Sequence, residues 1–157
     1  MGKTVLICKD LQTVIGCGVL GEEVKEKKLV AEMASYPGYT GTLNAAGMVT
    51  VTFHDDDTFK VHFDVSGLQA NCKNCGIHIH AGVSCATHKE VKGHGWNSVV
   101  VQDLWTTEGG AFYNTDMNGM GEGYFEIFNG FGYEENLDHA VVIHASDGSR
   151  VGCGVLK

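Results

Sequence analysis

The chain has 157 residues, enough for about one domain with a single core. Its formal charge of −8 leaves no basic stripe to follow a nucleic-acid backbone. No apolar run approaches the roughly 18 residues of a membrane span, and Met1–Cys8 is too short an apolar stretch for a secretory signal. Gly2 raises N-myristoylation, but Leu6 stands where that motif wants Ser or Thr. With 22 glycines, 1 proline and many Val, Thr, Tyr and Phe residues, the composition predicts an all-β protein with glycine-rich turns.

In chain order, residues 4–20 read as a first hairpin. Glu22, Glu23, Lys25, Glu26, Lys27 and Lys28 make a charged linker or short helix, ahead of a strand over Leu29–Met33. Met48–Leu68 has the period-two signature of a hairpin with one buried face: Val49, Val51 and Phe53, an acidic turn at His54–Asp57, then Phe59, Val61, Phe63 and Val65. His62 falls on the polar face and His54 in the turn, so both are expected in solvent. Cys72 and Cys75 form a CxxC with no βαβ pattern around it, which favours a small disulfide loop over a thioredoxin-like role.

The next segment, Cys75–Gly82, carries His78 and His80. In an extended strand, side chains at i and i+2 share a face, so both imidazoles can reach one ion while Ile79 turns into a core. Such a pair suits copper, zinc, nickel or iron. Further short strands are expected between Gly119 and Gly132, centred on Tyr124–Phe128. Ala140–His144 is a continuous apolar run, read as a central strand that delivers a histidine at its end; His139, just ahead of it, is expected at the surface. Many short strands at close spacing predict a sandwich or barrel.

An internal repeat changes the reading of the amino-terminal segment. Thr4–Leu20 aligns without gaps to Ala140–Leu156, and both end in Gly-Cys-Gly-Val-Leu. Cys8 stands opposite His144 and Val14 opposite Arg150. Residues 1–21 therefore read as an extra hairpin resembling the tail of a preceding, similar unit, residues 22–28 as a charged linker, and residues 29–157 as the domain proper.

Taken together, Gly76–His80, Cys85, Gly93–His94 and the closing Val142–His144 and Gly148–Val155 resemble the copper–zinc superoxide dismutase family, and within it the copper-only, repeat-containing branch. The resemblance covers about residues 29–157. It implies a Greek-key β-sandwich or barrel and one copper held by His78, His80, His94 and His144, a set suited to both oxidation states. It implies that superoxide is disproportionated to O2 and H2O2, with His94 exchanging a proton. Arg150 corresponds to the arginine that attracts the anion, and Cys85 and Cys153 to the family's intrasubunit disulfide.

The chain departs from the two-metal members. No further histidine lies between His94 and Phe112, so no zinc is expected, and Asp103 becomes a carboxylate that orients His94, with Glu108 as its rival. Only six positions separate His144 from Arg150, so the long charged channel loop is absent and the copper is expected to be open to solvent. His88, three residues after Cys85, competes with His94 as a ligand, and Gly93–His94 fits the copper-only pattern better. Cys8 and Cys17 pair with each other, or Cys17 stays free for a partner in another unit. Six cysteines suit an extracellular or other oxidising compartment, and a mature or excised segment of a longer precursor would reconcile that with the absence of a visible signal.

Superoxide is then the substrate, with neighbouring repeats or self-association through the first hairpin as further partners; an intramolecular packing of that hairpin is slightly preferred. Two rival readings stay open: a non-catalytic copper-binding or structural repeat module of a larger extracellular or membrane-associated assembly, and a periplasmic-type copper carrier.

Overall fold

A computed structural model describes residues 4–9, 13–19 and 26–157 of the chain. Among these residues are ten strands and two one-turn helices: β1 (Thr4–Cys8), β2 (Val14–Val19), β3 (Lys27–Ser35), β4 (Ala46–Phe53), β5 (Phe59–Ser66), β6 (Cys75–His80), α1 (His88–Val91), β7 (Phe112–Tyr113), β8 (Gly121–Ile127), α2 (Tyr133–Asn136), β9 (Ala140–His144) and β10 (Arg150–Val155). Eight strands form one antiparallel sheet in the order β7-β6-β9-β10-β3-β4-β5-β8. The turn between β7 and β8 brings the two edge strands together, so the sheet curls into a nearly closed Greek-key barrel.

Alternation explains the curl. Leu29, Ala31 and Met33 of β3, Val49 and Val51 of β4, and Phe59, Val61 and Phe63 of β5 all face one buried core. Polar partners such as His62 point to solvent, and so does His54 in the turn. Ile77 and Ile79 of β6, with Val141 and Ile143 of β9, continue that core on the far wall. β9 is apolar on its other face too, because Ala140 and Val142 join Tyr36, Val91 and Cys153 in a second cluster outside the barrel. A loop that carries α1 covers this patch, which accounts for the unbroken apolar run in the sequence.

Residues 20–25, most of the charged linker, lie outside the described residues. Lys27 and Lys28 belong to β3, which is longer at both ends than Leu29–Met33, and β8 ends at Ile127, one residue short of Phe128. The first hairpin makes a two-stranded sheet of its own. Its pairing reproduces that of β9 and β10 step by step. Thr4–Val19, Val5–Gly18, Leu6–Cys17, Ile7–Gly16 and Cys8–Val14 match Ala140–Val155, Val141–Gly154, Val142–Cys153, Ile143–Gly152 and His144–Arg150, with the same one-residue bulge, at Ile15 and at Val151.

Two disulfides tie the barrel, Cys72–Cys75 and Cys85–Cys153, the second fastening the loop after β6 to β10. Cys17 is an exposed free thiol.

Candidate metal centre

His78 and His80 project from β6 on the face opposite Ile77 and Ile79, and His144 lies at the end of the adjacent β9. One ring nitrogen from each of the three falls within 4.8 Å of the others. Gly76 makes room for them. It shares their face of β6, and a Cβ there would lie 2.8 Å from two ring atoms of His78 and 3.6 Å from His144.

His94 comes to lie beside the cluster, outside the three that converge within 4.8 Å, through backbone pairing that no spacing rule reveals. The Ala81 N–H donates to the Gly93 carbonyl (2.8 Å) and the Gly95 N–H to the Ile79 carbonyl (2.9 Å), which bridges His94 to His80. The His94 ring centroid is then 4.5 Å from that of His78 and 5.3 Å from that of His80. His88 stays apart on α1, exposed, and is not part of the cluster.

The hydrogen bonds sort the ring nitrogens. His80 Nδ1–H donates to the Lys92 carbonyl and His144 Nδ1–H to the Gly148 carbonyl, each at 3.0 Å. A carbonyl only accepts, so in each neutral ring Nε2 keeps the lone pair. Both Nε2 atoms are buried without a hydrogen-bond partner, as is Nδ1 of His78. Three unpartnered buried acceptors converging on one point carry an uncompensated desolvation cost, and a soft or borderline cation is what relieves it. Lys92 itself is held at φ 61°, ψ −156°, a region costly for any residue with a side chain, and its carbonyl is the one that fixes His80.

Electrostatics agree with neutral rings. Burial, then the neighbouring His144, His94 and His80, drives His78 down to about 2. Burial lowers His80 to about 3 against the raising effect of the Lys92 bond, and burial also lowers His144, with Arg150 and His94 adding to it. Low proton affinity leaves these nitrogens available to a metal in mildly acidic solution.

Asp103, and not Glu108, is the carboxylate in contact with His94. Its Oδ2 sits 2.8 Å from His94 Nδ1, and its Oδ1 accepts the Trp105 N–H at 3.0 Å. Trp105 Nε1–H donates in turn to the Gly95 carbonyl at 2.8 Å, closing a ring of contacts around residue 94. Asn129 reinforces it: buried, it donates to the same carbonyl (3.0 Å) and to Asn136 Oδ1 (2.9 Å). Tyr113 Oη–H donates to the His144 carbonyl at 2.7 Å. None of Trp105, Asn129, Asn136 and Tyr113 stood out in the sequence, because each acts through tertiary contacts rather than a local pattern.

Glu108 is exposed and lines an opening of about 320 Å³, with Gly76, His78 and His144 among its walls. His139, expected at the surface, is half-buried. It sits edge-on to Phe131, its Nδ1 lies buried without a partner, and burial lowers its proton affinity. Arg150 pairs with His144 across β9 and β10, and its Nη1–H donates to Tyr36 Oη at 3.0 Å.

Solved structures with a similar arrangement of strands include superoxide dismutases. The Cu(II) form of Candida albicans superoxide dismutase 5 superposes with a TM-score of 0.56 at 17% identity, covering 83% of this chain and 91% of that one. The chain has the superoxide dismutase fold. A Glu-to-Gln variant of the same Candida enzyme gives 0.56 at 18% identity over 84% and 91% of the two chains. The clock protein EA4 gives 0.56 at 17% over 85% and 95%. No family profile and no curated protein sequence matches. No helix among the described residues is long and apolar enough to cross a membrane.

Proposed function

We propose that this domain is a copper-only superoxide dismutase, with one copper held by His78 Nδ1 and by Nε2 of His80, His144 and His94. The observation that carries the reading is the set of three buried ring nitrogens without partners, two of them on rings whose opposite nitrogens are committed to backbone carbonyls. The superoxide dismutase fold and the copper in a neighbour of that fold support it.

Bound copper supplies a one-electron couple, oxidising one superoxide to O2 and reducing a second, with two protons, to H2O2. The protein's own part is to hold and to move a proton. With Nδ1 of His94 engaged by Asp103, only Nε2 remains to bind metal or carry a proton, and the carboxylate keeps the ring aligned in both conditions. His94 and Asp103 are about a quarter to a third exposed, so protons can arrive from solvent. Arg150, beside His144 on β10, attracts the anion against an overall negative field. Two disulfides favour an oxidising, extracellular setting.

Copper loading and pulse radiolysis test the reading. The expected result is one copper and no zinc per chain, three or more imidazoles on Cu(II) by electron spin-echo spectroscopy, and accelerated superoxide decay that His78→Ala abolishes. Decay unchanged by bound copper would overturn the enzyme assignment.

The second reading is a non-catalytic copper-binding or structural repeat module. The observation in its favour is the first hairpin, a copy of β9–β10 that has Cys8 and Val14 in place of His144 and Arg150. Copper bound by three or more imidazoles without turnover would favour it. We propose further that residues 1–21 belong by descent to a preceding unit, and residues 29–157 form the domain proper.

A further inference from the structure

The segment Tyr36–Thr40, between β3 and β4, carries chemistry that the metal centre does not account for. Tyr36 is buried, wedged between Val91, Ala140, Val142 and Cys153, and its backbone N–H donates to the Val151 carbonyl at 3.0 Å. Its hydroxyl emerges from this base into a groove of about 590 Å³ that Tyr39, Thr40, His88, Ser149 and Arg150 also line. There Arg150 Nη1 lies 3.0 Å from Tyr36 Oη, and His88 Nδ1 lies 3.0 Å from it on the other side. The guanidinium carbon is 5.8 Å from the Tyr36 ring centroid, and the His88 ring meets that ring edge-on at 5.8 Å.

Donor chemistry orders the chain. Arginine only donates, so the phenol oxygen accepts from Arg150. His88 Nδ1 shares a second hydrogen bond with the same hydroxyl, its direction set by the imidazole tautomer. A long, flexible cation is held at one point by a buried, rigid anchor, which removes rotamer freedom that Arg150 would otherwise lose on meeting an anion.

We infer that Tyr36, braced by His88, is a positioning residue for Arg150 that sets the affinity of the metal centre for small anions. This rests on the reading of Arg150 as the anion guide. The test is an optical titration of the Cu(II)-loaded protein with azide, and separately with imidazole as a neutral ligand. Tyr36→Phe keeps the ring and deletes the acceptor. It is expected to weaken azide roughly fivefold while imidazole binding and the slope of azide affinity against ionic strength stay as in the wild type. Arg150→Met is expected to weaken azide at least about tenfold and to flatten that slope. In the double variant the two losses should not add, because both act through one guanidinium. His88 is exposed, so His88→Ala, with a smaller loss of azide affinity, keeps the test open if Tyr36→Phe does not fold.

Azide affinity unchanged in Tyr36→Phe or, failing that variant, in His88→Ala overturns the inference, as does additivity in the double variant. Azide affinity unchanged in Arg150→Met overturns the role of Arg150 itself, and failure to bind copper overturns the metal centre. The three failures are therefore distinguishable.

Discussion

β1–β2 and β9–β10 are the same hairpin in two surroundings. Residue for residue they share pairing register and bulge, which the glycines and apolar residues of the common pattern dictate locally. Their side chains meet different fates. The bulge residue Val151 is 0% exposed and Ile15 64%; Cys153 is buried in a disulfide and Cys17 is an exposed thiol. β9–β10 is flanked by β6 on one side and β3 on the other, and the covering loop seals its outer face. Local sequence makes the hairpin. Its neighbours make it a wall of a core, and on the proposed reading two residues, His144 and Arg150, make it part of a metal centre.

The largest effect should come at the position where the first hairpin carries Cys8. His144→Ala removes one of the three converging nitrogens without supplying a thiolate in its place. Copper affinity measured by chelator competition is expected to fall by more than the roughly 100-fold that loss of an outer partner such as Asp103 costs. Equal losses in His144→Ala and Asp103→Ala would mean that His144 does not ligate.

Next comes the cysteine pair. Cys85–Cys153 closes a separation of 68 residues, for which the chain-entropy model gives about 4 kcal/mol of stability. Cys153→Ser should lose about that much in denaturant unfolding, plus the cost of a buried hydroxyl, whereas Cys17→Ser at the matching position should change stability by less than about 0.5 kcal/mol. A loss of several kcal/mol on replacing Cys17 would show that this thiol has a partner.

The folding pattern was readable for a physical reason: alternation in β4 and β5 is imposed by a wall with one wet face. His78 and His80 were legible by the same period of two. His94 was not legible that way, because its approach to His80 depends on the backbone bridge between residues 79–81 and 93–95 and on a strained Lys92, neither of which leaves a periodic trace. His94, Asp103 and Arg150 were reached only through resemblance. Tyr36 escaped notice and His88 was read only as a rival ligand, since 52 residues separate them and their meeting depends on how the loop carrying α1 folds back over β9. His139 was misplaced for a related reason: a residue one step before a buried strand inherits part of that strand's cover.

Acid should separate the histidine-bearing hairpin from its copy. His78, His80 and His144 all titrate below their ordinary value of 6.5 in the folded chain. Between the folded and unfolded values the unfolded chain binds more protons, so stability rises with pH there. Metal-free protein should therefore be fully stable above about pH 6.5 and lose stability as the pH falls below it. Each group contributes up to about 1.4 kcal/mol per pH unit in that window. His144→Cys should lessen the slope between pH 6.5 and 5 in urea unfolding, and an unchanged slope would place the acid sensitivity elsewhere.

The smallest effect belongs to the other exchanged residue. Arg150→Val copies position 14 and removes the cation from the strand facing His144 while leaving the copper ligands in place. Copper content should stay at wild-type level, and the superoxide rate constant at low salt should fall about tenfold, the lower end of what electrostatic steering supplies. Because a steered rate declines with ionic strength and an unsteered one does not, the gap between variant and wild type should narrow as salt is raised. Suppose the gap stayed constant across that range. Arg150 would then act on the site by contact rather than by its field, and the difference between the two hairpins at this position would be one of packing against Tyr36, not of charge.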